Sequence, residues 1–213
     1  VTLRIVVTGT DTGIGKTIFA AGLVQHLDGF YWKPIQAGLD GETDADVVRR
    51  LSGLPERRIL PEAWRLHAPA SPHWAAERDG VAIDPDALVP PKVAGPLIIE
   101  GAGGLMVPLT RRVLFIDVFA NWGAPVVLCA RTGLGTLNHT LLSLEALRRR
   151  GIAVLGVALI GDPHPDNERT LAALGGVPLL GRLPRLDPLT PKTLEAAFSA
   201  AFRREMFAAG GRQ

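Results

Sequence analysis

The sequence has little cysteine, little lysine and no long apolar run. A single cysteine in 213 residues, Cys129, excludes an intrachain disulfide framework. It sits inside the apolar run Val126 to Ala130 and reads as a buried structural thiol rather than a nucleophile. No apolar stretch is long enough to cross a bilayer, so no membrane partner is expected. The sequence enters a strand pattern at once, without a charged, apolar, small-residue leader, and a cytoplasmic address is the expectation. The absence of an internal period excludes a repeat array. Of 23 basic residues only Lys16, Lys33, Lys92 and Lys192 are lysines, and the net charge is +2. The arginines are scattered rather than ranged in a stripe with aromatics, which argues against nucleic acid as a partner. The one basic cluster, Arg148 to Arg150, closes a helical pattern before Gly151 and reads as a solvated helix end favoured by the dipole. A scarce lysine at a structured position invites a reason, and a compact ammonium beside phosphate or carboxylate is one.

What is present points to one α/β domain over residues 1–213, with residues 208–213 as a frayed tail. Short, β-branched apolar runs recur at Leu3 to Val7, Pro96 to Ile99, Pro125 to Ala130, Val154 to Ile160 and Val177 to Leu180, with a shorter one at Phe30 to Lys33. Several are nearly continuous rather than alternating, which predicts a mainly parallel β-sheet with helices on both faces. Thr43 before Asp44 and Thr190-Pro191 mark helix starts, the first helix stopping at Gly53. The segment from Pro55 to Pro96 holds eight of the 17 prolines, yet Ile59, Leu60, Trp64 and Trp74 make it too apolar for a free linker. It reads as an ordered excursion of the kind that covers a site.

The most informative stretch is Gly9-Thr-Asp-Thr-Gly-Ile-Gly-Lys-Thr17, set between the first strand pattern and a helical pattern ending near Leu27. Backbone N–H groups of Gly13, Ile14, Gly15 and Ile18 converge on nucleotide phosphates in such a P-loop, Lys16 neutralises phosphate oxygens, and the Thr17 hydroxyl suits Mg²⁺. Gly9 stands one place earlier than the common spacing, with Thr10 where glycine is usual. ATP and Mg²⁺ are therefore the expected co-substrate and metal.

After the run Pro96 to Ile99 comes Glu100-Gly101-Ala102-Gly103-Gly104, a carboxylate at a strand's carboxyl end followed by glycines that let backbone approach a ligand. Asp117, after Leu114-Phe115-Ile116, is a rival acid, but its segment looks helical and a capping role fits better. Asp44 is a second Mg²⁺ candidate, equally readable as a helix-start carboxylate.

Taken in order, the loop, Trp32-Lys33-Pro34-Ile35-Gln36-Ala37-Gly38, Thr43-Asp44-Ala45, Ser71-Pro72-His73, Glu100 to Gly104 and Gly133-Leu-Gly-Thr-Leu-Asn-His139 resemble the dethiobiotin synthetase family over most of the chain. The early glycine of the loop is itself the form that family uses. The resemblance implies a homodimeric ligase of biotin synthesis that uses Mg²⁺ and ATP. Its products from 7,8-diaminopelargonic acid and CO₂ are dethiobiotin, ADP and phosphate. It implies that Lys33 bridges a substrate carbamate and the γ-phosphate with Lys16 on the transferred phosphoryl group. Thr17, Asp44 and Glu100 then hold Mg²⁺, while Gly101, Ala102 and Gly103 line the nucleotide side. Gly135, Thr136, Leu137 and Asn138 open a helix whose free N–H groups receive the substrate carboxylate from the partner subunit. His139 reads as part of a capped helix start, and His73 has no chemical task.

Two positions depart from the family pattern. Ala37 stands where a hydroxyl residue is common near the substrate amines. Gly161, after Val157-Ala-Leu-Ile160, stands where an asparagine usually reads adenine, which leaves room for other nucleoside triphosphates. Pro184 resembles the other wall of the base pocket. The competing readings are a switch ATPase of the partitioning or division-site type, whose loop generally carries an early second lysine absent here, and a regulatory nucleotide-binding module.

Overall fold

The computed structural model describes residues 2–208. The tail expected at 208–213 lies outside them from residue 209 onward. Its strands are β1 (Arg4–Gly9), β2 (Phe30–Trp32), β3 (Ile35–Ala37), β4 (Ile59–Leu60), β5 (Trp64–Leu66), β6 (Leu97–Gly104), β7 (Val126–Arg131), β8 (Val154–Ile160) and β9 (Leu179–Leu183). Its helices are α1 (Lys16–His26), α2 (Asp44–Ser52), α3 (Pro72–Arg78), α4 (Phe115–Trp122), α5 (Thr136–Arg149), α6 (Pro165–Leu174), α7 (Pro191–Ala201) and the short α8 (Glu205–Ala208). Seven strands form one sheet in the order β4-β2-β6-β1-β7-β8-β9, every neighbouring pair parallel. The chain works outward from β1 in one direction through β2 and β4 and in the other through β7, β8 and β9. The carboxyl end of β1 is thus a switch point, where a crevice opens.

Strand alternation splits the core. Ile5 and Val7 face one side with Ile98, Val127 and Cys129, under α1, α2 and α7. Val6 faces the other with Leu97, Ile99 and Val126, under α4, and Leu128, Ala130, Val157 and Leu159 continue that face under α5 and α6. Helices on both faces bear out the expected class. Cys129 is fully buried, and burial pushes its thiol far above the ordinary value, so it is inert packing.

Several expectations need correction. Glu100 is not at the end of its strand: β6 runs on through the glycines to Gly104, which pairs with Gly9 across an irregularity in register. The last strand lies two to three residues later than the run Val177 to Leu180, because β8 pairs with Leu179, Gly181, Arg182 and Leu183. The excursion carries its own structure. In it β4 extends the main sheet, and β5 pairs with β3 in a second, two-stranded sheet whose strands are too short for any period to be read. The arginine cluster is more than a solvated end: Arg148 donates to the Gly175 carbonyl and Arg150 to Asp117 Oδ1 at 2.8 Å.

Helix α1 meets α7 at Gly22, where a side chain would overlap the buried Phe198 ring. Phe198 is packed at ring distances of 5.3 Å from Phe19 and 4.6 Å from Phe202, and has nowhere to go. Gly22→Ala is therefore expected to destabilise by about 1–3 kcal/mol of overpacking, against the gain of about 1 kcal/mol that alanine brings to an ordinary helix. Denaturant unfolding with an unchanged slope and a lower midpoint is the expected record.

Candidate active site

The loop between β1 and α1 wraps the amino end of α1, whose first free N–H groups face the crevice. Gly15, immediately before Lys16, takes a left-handed φ of 97°. Lys16 is buried, and burial draws its pKa below the ordinary lysine value. Its ammonium donates to the Asp11 carbonyl at 2.6 Å. Among the described residues that is its one hydrogen bond, which leaves two N–H groups for phosphate oxygens.

Thr17, one residue on, stands at the centre of the polar cluster. Its hydroxyl lies 3.0 Å from Asp44 Oδ1 and 2.8 Å from Glu100 Oε1, with one proton to share between them. Lys33, just past β2, places its ammonium 2.6 Å from Asp44 Oδ2 and 3.1 Å from Glu100 Oε1, and donates to the Gly101 carbonyl at 3.2 Å. All three of its N–H groups are used. Burial works against the charge on Lys33, but the two carboxylates outweigh it and hold the pKa above the ordinary lysine value. At Asp44 burial likewise works against ionisation, and Lys33 overcomes it, so its pKa is lowered. Glu100 is 1% exposed and the Asp44 side chain 32%, so Glu100 is the fixed partner and Asp44 the one at the cavity wall.

The sequence places Asp44 by a capping box. Thr43 caps α2 and Asp46 returns the bond to the Thr43 backbone N–H, so α2 starts at Asp44 and aims it at Lys33. Gln36, not singled out in the sequence, completes this. Its buried amide accepts from the Asp44 N–H at 3.2 Å and donates to the carbonyls of Ala37 and Gly38 at 3.2 and 3.3 Å.

A cavity of about 410 Å³ opens on this cluster, lined by Lys33, Ala37, Asp44, Ser71, Ala102 and Gly103 among others. The proline-rich excursion supplies its outer wall at Pro69 to Pro72, as expected of a covering segment. Ser71 Oγ lies 3.1 Å from His73 Nδ1. A second cavity of about 380 Å³ lies across the loop, lined by Gly13, Ile14, Gly15, Arg131, Gly161 and Arg185. Its wall beyond Leu183 is formed by Arg185 rather than by the expected Pro184. Gly161 has φ +131°, and a Cβ there would stand 2.6 Å from Thr132 Oγ1, so glycine here is built into the backbone of the pocket. Arg182 donates to the Gly161 carbonyl at 2.9 Å, and Arg131 pairs with Asp11 at 2.5 Å. The sequence reading missed these arginines because the strands that carry them become neighbours only in the fold.

Two sets of candidates lie elsewhere. Asp117 accepts from the Leu114 N–H at 3.1 Å and pairs with Arg150, the capping acid expected. Gly135 to Asn138 begin α5 and line neither cavity of their own chain. His139 is exposed in the first turn of α5, whose start has no side-chain cap, so the capped-start reading of that residue does not hold.

The donors around Thr17 are hard oxygens, a hydroxyl and two carboxylates, which fits Mg²⁺. Among the described residues no cluster of three His, Cys, Asp or Glu side chains forms a cage.

A family model described as an AAA domain matches residues 3–193. The ATP-dependent dethiobiotin synthetase BioD of Rhodopseudomonas palustris (strain BisB18) is 65% identical over 206 residues, 97% of this chain and 99% of that one. The protein of the same name from Rhizorhabdus wittichii is 63% identical over 207 residues, again 97% and 99% of the two chains. Among solved structures, the septum site-determining protein MinD of Pyrococcus horikoshii OT3, complexed with Mg-ADP, superposes with TM-score 0.56 at 17% identity over 92% of this chain and 86% of that one. A ParA family ATPase from Chlorobium tepidum TLS gives TM-score 0.52 at 12% identity, covering 99% and 98%. At such identities these two structures speak for the fold alone, whereas the near full-length relatives speak for more. The chain belongs to the ATP-dependent dethiobiotin synthetase family.

Proposed function

We propose that this chain is a Mg²⁺- and ATP-dependent cyclo-ligase that converts 7,8-diaminopelargonic acid and CO₂ into dethiobiotin, ADP and phosphate. The observation that carries this reading is Lys33, whose ammonium sits between the phosphate loop's Thr17 and Glu100 on one side and the cavity lined by Ala37 and Ser71 on the other. One substrate amine takes up CO₂ as a carbamate. A carbamate oxygen then attacks the γ-phosphorus of ATP, and ADP leaves. The second amine attacks the carbonyl carbon of the resulting mixed anhydride, phosphate departs and the cyclic urea closes. No protein nucleophile is needed, so catalysis rests on positioning and charge neutralisation.

Lys16 meets the transferred phosphoryl group with the two N–H groups left beyond Asp11. Lys33 trades contacts with its carboxylates for contacts with the carbamate, and lies where carbamate and γ-phosphate meet. Gly13, Ile14, Gly15 and Ile18 offer backbone N–H groups. Glu100, Gly101, Ala102 and Gly103 form the strand against which the nucleotide and substrate meet. Thr17, Asp44 and Glu100 would hold Mg²⁺, directly or through water, and the metal would neutralise phosphate charge. Ala37 offers no hydroxyl to the substrate amines, and the neighbouring Gln36 amide holds the backbone there. Gly161 offers the base only its backbone, with Pro184 next to Leu183, whose carbonyl accepts from the Gly161 N–H, and Arg185 on the pocket wall, so nucleotides other than ATP are expected to be accepted at modest cost.

The active unit in this reading is a homodimer. The start of α5, Gly135 to Asn138, does not line its own chain's cavity, and free helix N–H groups suit the substrate's far carboxylate. The side chain of Leu134 beside it is fully exposed, and Met106 and Leu142 are more than half exposed, an apolar surface a second subunit would cover.

The test is phosphate release from MgATP with labelled bicarbonate, with and without the diamine. Release that depends on the diamine, with label in dethiobiotin, is the expected result. Nucleotide binding by folded protein without a diamine response would overturn the ligase reading.

A further inference from the structure

The buried cluster holds one group that the reaction scheme leaves without a task, the hydroxyl of Tyr31. Strand β2 pairs with β6 so that Tyr31 lies beside Ile98, on the face of the sheet covered by α1 and α2. Glu100 is two residues beyond Ile98 on the same strand and so on the same face. A tyrosine is long enough to reach across that diagonal. Its hydroxyl donates to Glu100 Oε2 at 2.8 Å, and both residues are at most 1% exposed.

Packing alone does not call for the hydroxyl. A phenylalanine would fill the same space beside Ile98 in this core without bringing a polar atom into it, where an unpaired hydroxyl is costly. The hydrogen bond divides Glu100 into two ends. Oε2 is occupied by Tyr31, and Oε1 is turned to the Thr17 hydroxyl and the Lys33 ammonium. Without a donor at Oε2 the carboxylate is free to rotate and take Lys33 with both oxygens, drawing the lysine from Asp44 and turning Oε1 from Thr17.

We propose that Tyr31 is a positioning residue: its hydroxyl fixes the orientation of the Glu100 carboxylate, and through it the oxygen cluster that receives the nucleotide's Mg²⁺. This rests on the reading of Glu100 as a Mg²⁺-associated acid. Partners that orient a metal's ligands commonly matter by tenfold or more in affinity.

The experiment compares the ATP affinity of Tyr31→Phe with Mg²⁺ and with EDTA, by calorimetry without diamine so that no turnover occurs. The expected result is an unchanged affinity in EDTA, which also reports an intact fold, and a gain from Mg²⁺ reduced about tenfold. Glu100→Gln and the double variant complete a cycle. If Tyr31 acts through Glu100, removing its hydroxyl adds little in the Glu100→Gln background. A Mg²⁺ gain that falls in Glu100→Gln but stays intact in Tyr31→Phe overturns the positioning role alone. An intact gain in Glu100→Gln overturns the metal reading of Glu100, and the role of Tyr31 with it. An equal loss with Mg²⁺ and with EDTA in Tyr31→Phe, or a full additional loss in the double variant, makes the hydroxyl a matter of general structure and also overturns the proposal.

Discussion

Lys33→Ala is expected to lower diamine-dependent phosphate release by about 10²–10³-fold, the range found when a single preorganised charge-stabilising group is removed from an active site, while ATP still binds. The asymmetry follows from where the ammonium sits. It touches Asp44, Glu100 and the Gly101 carbonyl at the edge of the cavity proposed for the substrate, and lies outside the loop between β1 and α1. The loop with Lys16 stays whole, so nucleotide affinity should change little. Stability should fall as well. Removing one member of a buried ion pair leaves its partner charged and uncompensated, at about 3–5 kcal/mol, and Glu100 has no solvent to turn to. A second variant separates the two effects. Adding Asp44→Asn to Lys33→Ala removes one of the two opposed carboxylates and should return part of the lost stability, measured by denaturant unfolding, without returning turnover. Recovery of turnover in that double variant would mean that Lys33 only balances charge and has no part in meeting the carbamate.

Much of this site was legible in the chain because its parts are local. The loop lies between a strand and a helix that adjoin it in sequence, and the Thr43 capping box fixes the direction of Asp44 within four residues. Glu100 is legible as a carboxylate followed by glycines, though its strand runs five residues beyond the apolar run that ends at Ile99, because β6 stays paired beside β1 as far as Gly104. Groups joined only by the fold were not legible. Tyr31 reads as one more core aromatic until β2 is laid against β6. Gln36 looks like an ordinary polar residue until the start of α2 is brought beside it. Arg131, Arg182 and Arg185 meet at the second cavity and its Gly161 wall only through the pairing of β7, β8 and β9. Strands β3 and β5 have three residues each, and alternation has no room to declare itself. The last strand is hard to place from sequence because Gly181 and Arg182 interrupt the apolar run. Gly181 is nevertheless in the sheet with φ +152°, pressed against the end of α7, where a larger residue would meet the Ala201 carbonyl.

Lys16→Ala is expected to give the opposite pattern in everything but activity. Turnover should again fall by about 10²–10³-fold for loss of the charge that meets the transferred phosphoryl group, but here ATP affinity should fall with it. The lysine belongs to the loop and has two N–H groups to give to phosphate. Its effect on stability should be small, and the physical reason is its environment. Lys33 is buried with two carboxylates in contact and its charge is favoured, whereas Lys16 is buried with one backbone carbonyl as its partner and burial lowers its pKa. A group whose pKa is lowered on folding is held charged at a cost, so removing it forfeits one hydrogen bond, about 1 kcal/mol, and relieves a desolvation penalty of opposite sign. No carboxylate in contact is left unpaired. The folded state therefore bears the Lys16 ammonium at a cost, which the proposed contact with phosphate would offset. The two variants together make a sharp comparison by calorimetry and denaturant unfolding. Lys33→Ala should bind ATP and be less stable; Lys16→Ala should bind ATP poorly and unfold near the parent's midpoint. An Lys16→Ala protein as destabilised as Lys33→Ala would show that the loop lysine holds the Asp11 turn together and is structural before it is catalytic.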